Sequence, residues 1–125
     1  MNASTMALRG YAENATSIRS DRRGEYEVFA QVTQRLRAAA VSAKTDFPRY
    51  VDALHDNRRL WTALAVEVAD QKNDLPDDLR ARIFYLAEFT IQQTTKVLSE
   101  KASVMPLLEI NVAVMRGLKA NGGPA

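Results

Sequence analysis

Residues 47–71 read FPRYVDALHDNRRLWTALAVEVADQ and hold the most regular pattern in the chain. The apolar residues recur at alternating spacings of four and three, which places them on one face of an α-helix. The positions on that face are Phe47, Val51, Leu54, Arg58, Trp61, Ala65 and Val68. Pro48 falls in the first turn, where its missing N–H has no helical acceptor, and Asp46 or Thr45 can cap the helix. The pattern predicts one long helix.

On either side of this helix, the chain reads as further helices joined by short polar turns. Five Gly and four Pro in 125 residues supply too little turn chemistry for a strand-rich fold. Asn73 or Asp74 is predicted to cap the third main helix, which holds Pro76 in its first turn. Ser103 is predicted to cap the last helix, and Gly117 to end it. The predicted segments are a short N-terminal helix over 4–17, a polar break at 19–24, and main helices over 25–43, 47–71, about 77–100 and 103–117.

Short loops favour antiparallel neighbours, so the predicted fold class is all-α, a small bundle of four main helices plus the short N-terminal helix. A chain of 13.9 kDa supports one hydrophobic core. We therefore expect a single helical domain over residues 1–119 and a loose C-terminal tail over 120–125.

The middle of the third main helix, residues 83–91, reads IFYLAEFTI and contains a single charged residue. A helix that is apolar nearly all round is usually enclosed by its neighbours. One interpretation makes it the central helix of the bundle. The other leaves part of Tyr85, Phe89 or Leu60–Trp61 open as a groove for a partner helix. The side chains expected in the core are Leu54, Trp61, Leu79, Ile83 and Leu86.

Asn57 and Asn111 lie close to apolar faces of their predicted helices. Each is either a surface or capping amide, or a buried polar group that fixes the register of neighbouring helices, as Asn does in coiled coils. The sequence does not decide between these two interpretations.

Catalytic, metal and cofactor chemistry is not expected. The chain has no cysteine and one histidine, His55, whose acidic neighbours Asp52 and Asp56 do not complete a ligand set. The glycines are scattered and form no phosphate-binding loop. With 17 basic and 15 acidic residues, the net charge is +2, and no polybasic run indicates nucleic acid. Without a signal peptide or an anchor, we expect a cytoplasmic protein with no membrane insertion.

Several runs, taken in chain order, carry a family resemblance. They are ALRGY at 7–11, the region 25–36, NRRLW at 57–61, LPDDLRARIFYLAEFT at 75–90, LEIN at 108–111 and VMRGL at 114–118. Together they resemble the FlaF family, flagellar biosynthesis regulators of alphaproteobacteria. The resemblance covers about residues 4–118.

The resemblance implies a cytoplasmic helper in flagellum assembly that binds flagellin before export and works alongside an FlbT-type regulator. Flagellin is then the expected partner, through its amphipathic terminal helices. Two alternatives stay open. One is a post-transcriptional regulator that contacts flagellin mRNA, supported only by scattered arginines such as Arg19, Arg22, Arg35 and Arg80. The other is a purely structural helical adaptor or homodimer.

The partner surface is expected on the third helix and the adjoining last helix, where apolar residues exceed what one buried face requires. Met can adapt to an incoming helix, and flanking arginines can orient it. The expected partner-binding residues are Leu60, Trp61, Arg82, Tyr85, Phe89, Asn111, Met115, Arg116 and Leu118.

Overall fold

The computed structural model describes residues 18–100 and 102–122. It contains four helices: α1, Ile18–Val41; α2, Phe47–Ala69; α3, Asp77–Glu100; and α4, Met105–Gly122. No strand occurs in the described part of the chain, so the predicted all-α class is confirmed. The predicted N-terminal helix over 4–17 lies outside the described residues.

Local sequence explains where α2 and α4 begin. The Asp46 side chain accepts a hydrogen bond from the Arg49 amide at 3.3 Å, and a proline follows at the start of α2. Before α4, the Ser103 hydroxyl accepts a bond from the Met105 amide at 3.1 Å. Both side chains satisfy amide groups that have no partner inside the helix.

Two glycines that were expected to interrupt helices lie inside them. The predicted polar break at 19–24 is wrong, because α1 begins at Ile18 and includes a buried Gly24. The predicted helix end at Gly117 is also wrong, since α4 continues to Gly122. It thereby extends into the segment 120–125 that was expected to be a loose tail. Glycine disfavours a helix by only about 1 kcal/mol, which neighbouring contacts can outweigh.

Two apolar clusters show how the helices run. The upper cluster contains Phe29, Val32, Leu60, Trp61, Ala63 and Ala87. The lower cluster contains Leu36, Ala39, Ala53, Leu54, Val97, Leu107 and Leu108. The upper cluster uses the middle of α1, the second half of α2 and the first half of α3, and partly buried residues late in α4 pack against it. The lower cluster uses a later part of α1, the first half of α2, the second half of α3 and the start of α4. Consecutive helices are therefore antiparallel.

The four helices form a ring rather than a bundle around a central helix. Helix α1 packs against α2 and α4, and α3 packs against α2 and, less extensively, against α4. Helices α1 and α3 occupy opposite corners and do not approach each other closely among the described residues. The interpretation of the third helix as a central, enclosed helix is therefore wrong.

Four of the five residues expected in the core are buried or partly buried, and the fifth, Leu79, is exposed. Leu54 and Trp61 on α2 are buried, as predicted. Leu86 and Ile83 are partly buried, and Leu86 packs against the upper cluster. Leu79 was expected in the core but is 38% exposed. It lies in the first turn of α3, at the end of the bundle, where fewer neighbouring side chains can cover it.

We expect Gly117→Ala to stabilise the protein by about 0.5–1 kcal/mol. Alanine is more favourable than glycine inside a helix, and it restricts the conformations open to the unfolded chain. A Cβ added at Gly117 meets nothing within 4 Å. Urea unfolding followed by circular dichroism measures the change. Ala113→Gly, at an exposed position of the same helix, is the matched control and should destabilise by a similar amount. A lower stability of Gly117→Ala would contradict a helix that continues through residue 117.

Candidate functional site

Helix α3 exposes more large apolar side chain than any other described helix. Tyr85 is 68% exposed, Phe84 39% and Leu79 38%. The buried face of α3 uses Ala87, Thr90, Thr94 and Val97. Tyr85 lies on the opposite side of the helix from these residues, since successive residues advance by about 100°. Part of α3 is therefore uncovered, as the second interpretation of the apolar run at 83–91 expects.

Three predicted site residues form one stripe along this exposed side. Arg82, Tyr85 and Phe89 follow one another at spacings of three and four residues, so they share a helix face. Arg82 and Tyr85 are exposed, and Phe89 is partly buried within the bundle. We call these three residues the α3 stripe. Phe84, which is also exposed beside Tyr85, was not singled out from the apolar run at 83–91.

The other predicted site residues do not join the α3 stripe. Leu60, Trp61 and Asn111 were expected at a partner surface, but all three are at most 1% exposed and lie inside the bundle. Met115 and Leu118 are partly buried and pack against the upper cluster. Arg116 is exposed, but it lines a groove with Arg37 of α1, away from α3. The nine residues therefore do not form one surface.

The two asparagines belong to a buried polar layer between the upper and lower clusters. The Asn111 amide Nδ2 donates to the Thr33 hydroxyl at 3.0 Å and to Asn57 Oδ1 at 2.7 Å. Its Oδ1 accepts from the Trp61 indole N–H at 2.8 Å. One side chain of α4 thus binds α1 and α2 together. The interpretation of the asparagines as surface or capping amides is wrong, and the register interpretation agrees with this geometry.

Helix α3 places two hydroxyl groups beside this polar layer. Neither of them is among the hydrogen-bond partners of the Asn111 side chain. Thr90 and Thr94 are fully buried, and the Thr94 hydroxyl donates to the Thr90 carbonyl within α3 at 2.7 Å. The Thr90 hydroxyl and the Asn57 Nδ2 have no hydrogen-bond partner. Burying an unpaired polar group costs about 1–3 kcal/mol. The hydrogen bonds of the layer therefore join α1, α2 and α4, with one amide group of α2 and one hydroxyl of α3 left unpaired beside them.

The loop between α2 and α3 fixes where α3 begins. The Arg80 guanidinium donates to the Val68 carbonyl at 2.8 Å and to the Asp70 carbonyl at 2.9 Å, which satisfies groups at the C-terminal end of α2. Asn73 was expected to cap the third helix. Instead, its side chain donates to the Glu67 carbonyl at 3.0 Å and accepts from the Leu75 amide at 2.9 Å. These bonds hold the first turns of α3 against the end of α2 and so position the α3 stripe.

His55 takes part in a local contact on α2. The Arg58 guanidinium donates to His55 Nδ1 at 2.6 Å, and Arg59 forms an ion pair with Asp56. Within residues 18–100 and 102–122, no three His, Cys, Asp or Glu side chains are grouped so that they could hold a metal ion. Burial raises the pKa of the Tyr50 phenol above its ordinary value.

None of the described helices combines the length and the apolar character that crossing a bilayer requires.

Fold and site together define an antiparallel four-helix bundle with an uncovered apolar helix at one corner. The family model of the flagellar protein FlaF matches residues 7–118, nearly the whole chain. The chain therefore belongs to the FlaF family of flagellar proteins, which confirms the resemblance. Comparisons with curated proteins and with solved structures return no significant match.

We expect Asn111→Leu to destabilise the protein by about 2–4 kcal/mol, because it leaves the Trp61 N–H and Asn57 Oδ1 buried without partners. Asn57→Leu should cost less, about 1–2 kcal/mol. It leaves one Asn111 Nδ2–H buried without its acceptor, but it also removes the Asn57 Nδ2 that is already unpaired, and Trp61 keeps its acceptor on Asn111. Urea unfolding of the two variants gives both values. An equal or larger loss for Asn57→Leu would show that Asn111 is not the centre of the layer.

Proposed function

We propose that this protein binds flagellin in the cytoplasm before export and acts, without catalysis, as a chaperone and regulator of flagellum assembly. The observation that carries the proposal is the uncovered α3 stripe, with Tyr85 68% exposed at its centre. Membership of a flagellar protein family supports the cellular process. The exposed apolar side of α3 supports the proposed mode of action, which is binding of a flagellin helix.

The chemistry of the expected partner fits this surface. The terminal helices of flagellin are amphipathic and bury their apolar stripes only in the filament. A cytoplasmic binder must cover such a stripe reversibly. A partner helix laid along α3 would meet Arg82, Tyr85 and Phe89 over seven residues, which correspond to about 10 Å of helix. Matching spacings of three and four in both helices allow side chains to interdigitate.

Within the α3 stripe, the three side chains have different roles in the proposal. Tyr85 is the anchor, because truncation of an aromatic side chain at the centre of an interface commonly costs 2 kcal/mol or more of binding. Phe89 is partly held by the bundle and provides a preorganised apolar base beside it. Arg82, exposed one turn away, sets the orientation and the association rate of the partner more than its affinity.

The bundle tolerates this exposure because its cohesion lies elsewhere. The Asn111 bonds join α1, α2 and α4, and Arg80 holds the start of α3 against α2. The outer side of α3 is therefore available without being needed for folding. Because the contacts that hold the bundle and the exposed side of α3 are separate, the protein can bind and release a partner while it stays folded.

Direct contact with flagellin mRNA receives less support. Arg80, which was among the basic residues of that alternative, donates to backbone carbonyls at the end of α2. The remaining basic residues are scattered along the sequence and form no polybasic run. A functional link to an FlbT-type regulator is compatible with flagellin binding and needs no RNA contact by this chain.

We expect Tyr85→Ala to weaken binding of purified monomeric flagellin by roughly thirty-fold or more, equivalent to about 2 kcal/mol. Isothermal titration calorimetry measures the affinity, and thermal unfolding checks the fold. Because Tyr85 is largely exposed, the variant should unfold close to the parent temperature. Val66→Ala is the matched control, since Val66 is also an exposed apolar residue, at 54%, but lies on α2.

Two results would contradict the proposal in different ways. If the parent protein does not bind flagellin, flagellin binding itself is wrong. If the parent binds, and folded Tyr85→Ala binds equally well, the function stands but the α3 stripe is not its site. Sedimentation analysis in the same experiment distinguishes a homodimer, which would hide the stripe, from a monomer.

A further inference from the structure

Helix α4 has more apolar surface than its position in the bundle requires. Its inner side uses Leu107, Asn111, Val114 and Leu118, which are buried or partly buried. A second apolar strip consists of Met105, Leu108, Val112 and Ala113. A corner helix that packs against only two neighbours needs one such face. Met105, Val112 and Ala113 are therefore surplus to the core, whereas Leu108 belongs to the lower cluster and joins the strip to it.

The second strip forms the floor of an open groove between α1 and α4. The groove has a volume of about 530 Å³ and is lined by Arg37, Met105, Leu108, Glu109, Val112, Ala113 and Arg116. Leu108 is buried at its floor, whereas Met105 at its lower end is 53% exposed.

The rim of the groove is cationic. Arg37 projects from α1 and Arg116 from α4, and both are exposed. Neither guanidinium forms an ion pair with another described residue. Glu109 is the sole carboxylate among the described lining residues. Guanidinium groups bind carboxylates through paired, charge-assisted hydrogen bonds. The rim therefore favours an acidic partner.

The polar layer gives the spacing of the two arginines along the bundle. Thr33 and Asn111 are hydrogen-bonded at 3.0 Å and so lie at one level. Arg37 is four residues below Thr33 on α1, and Arg116 is five residues above Asn111 on α4. At 1.5 Å per residue, the two arginines are separated by about 13.5 Å along the axis. A partner helix covers this rise in nine residues and turns through about 900°, which is two and a half turns. Two of its side chains nine positions apart therefore lie on opposite flanks of that helix.

We propose that this groove binds an amphipathic helix of a partner protein whose apolar stripe is flanked by two acidic residues about nine positions apart. The apolar stripe packs on Leu108, Val112 and Ala113, with Met105 adapting to its shape. The two carboxylates pair with Arg37 and Arg116 on opposite rims. None of the described residues of α3 lines the groove, so this interface does not overlap the α3 stripe. Both interfaces can be occupied together, which would make the protein a two-sided adaptor.

The probe is a fluorescein-labelled 18-residue helical peptide with leucines on one face and two Glu residues nine positions apart. A second peptide carries Lys at those two positions. Fluorescence anisotropy with the full-length protein should give at least tenfold tighter binding of the Glu peptide, and that preference should fall with added salt. The double variant Arg37→Glu, Arg116→Glu should reverse the preference. Both positions are exposed, so the variant should fold, as thermal unfolding verifies.

Tyr85→Ala serves as the matched variant on the other surface and should leave peptide binding unchanged. Equal affinity for the two peptides, or a preference that the charge reversal does not alter, would overturn the proposal. So would binding that is lost in Tyr85→Ala, because the peptide would then occupy the α3 stripe. A concentration-dependent dimer of the parent that Arg116→Glu dissolves would assign the groove to a second copy of this chain, which also overturns it.

Discussion

The carboxamide of Asn111 is the interaction on which the arrangement of the bundle depends. It bonds to Thr33 on α1 and to Asn57 and Trp61 on α2, and it is fully buried between two apolar clusters. A shift of α4 by one turn would replace it with Leu107 or Met115 and leave the Trp61 N–H unpaired in the interior. Apolar packing alone tolerates such shifts more readily, because it is not directional. The polar layer thus selects one register among several that the clusters would accept.

The consequence for function comes from the helix that this layer does not include. Helix α3 packs against α2, carries an unpaired Thr90 hydroxyl, and is tied at its start by Arg80. It is held in place without being enclosed. Its outer side, centred on Tyr85, therefore stays uncovered and becomes the surface that we assign to flagellin. The same ring geometry leaves the outer side of α4 open at the neighbouring corner, where it borders the groove with α1.

Local patterns in the sequence predict most of the fold. The spacing of apolar residues predicts α2 almost to the residue, and Asp46 and Pro48 mark its start because capping is a local property. Glycine positions mislead, since Gly24 and Gly117 continue their helices where tertiary contacts outweigh a small backbone cost. Leu60 and Trp61 were assigned to a surface because periodicity identifies an apolar face but not the neighbour that covers it. For the same reason, the apolar run in α3 fits both an enclosed and an open helix, and only the arrangement of all four helices decides between them.

Hydrogen–deuterium exchange of the full-length protein, with and without saturating flagellin monomer, tests the central claim most directly. The account predicts slowed exchange in the segment of α3 around Arg82, Tyr85 and Phe89, with α1 and the polar layer in α2 unchanged. Protection concentrated in α1 and α4, with none in α3, would contradict it. Faster exchange at Asn57 and Asn111 would contradict it as well, because flagellin would then bind by opening the layer that holds the bundle together.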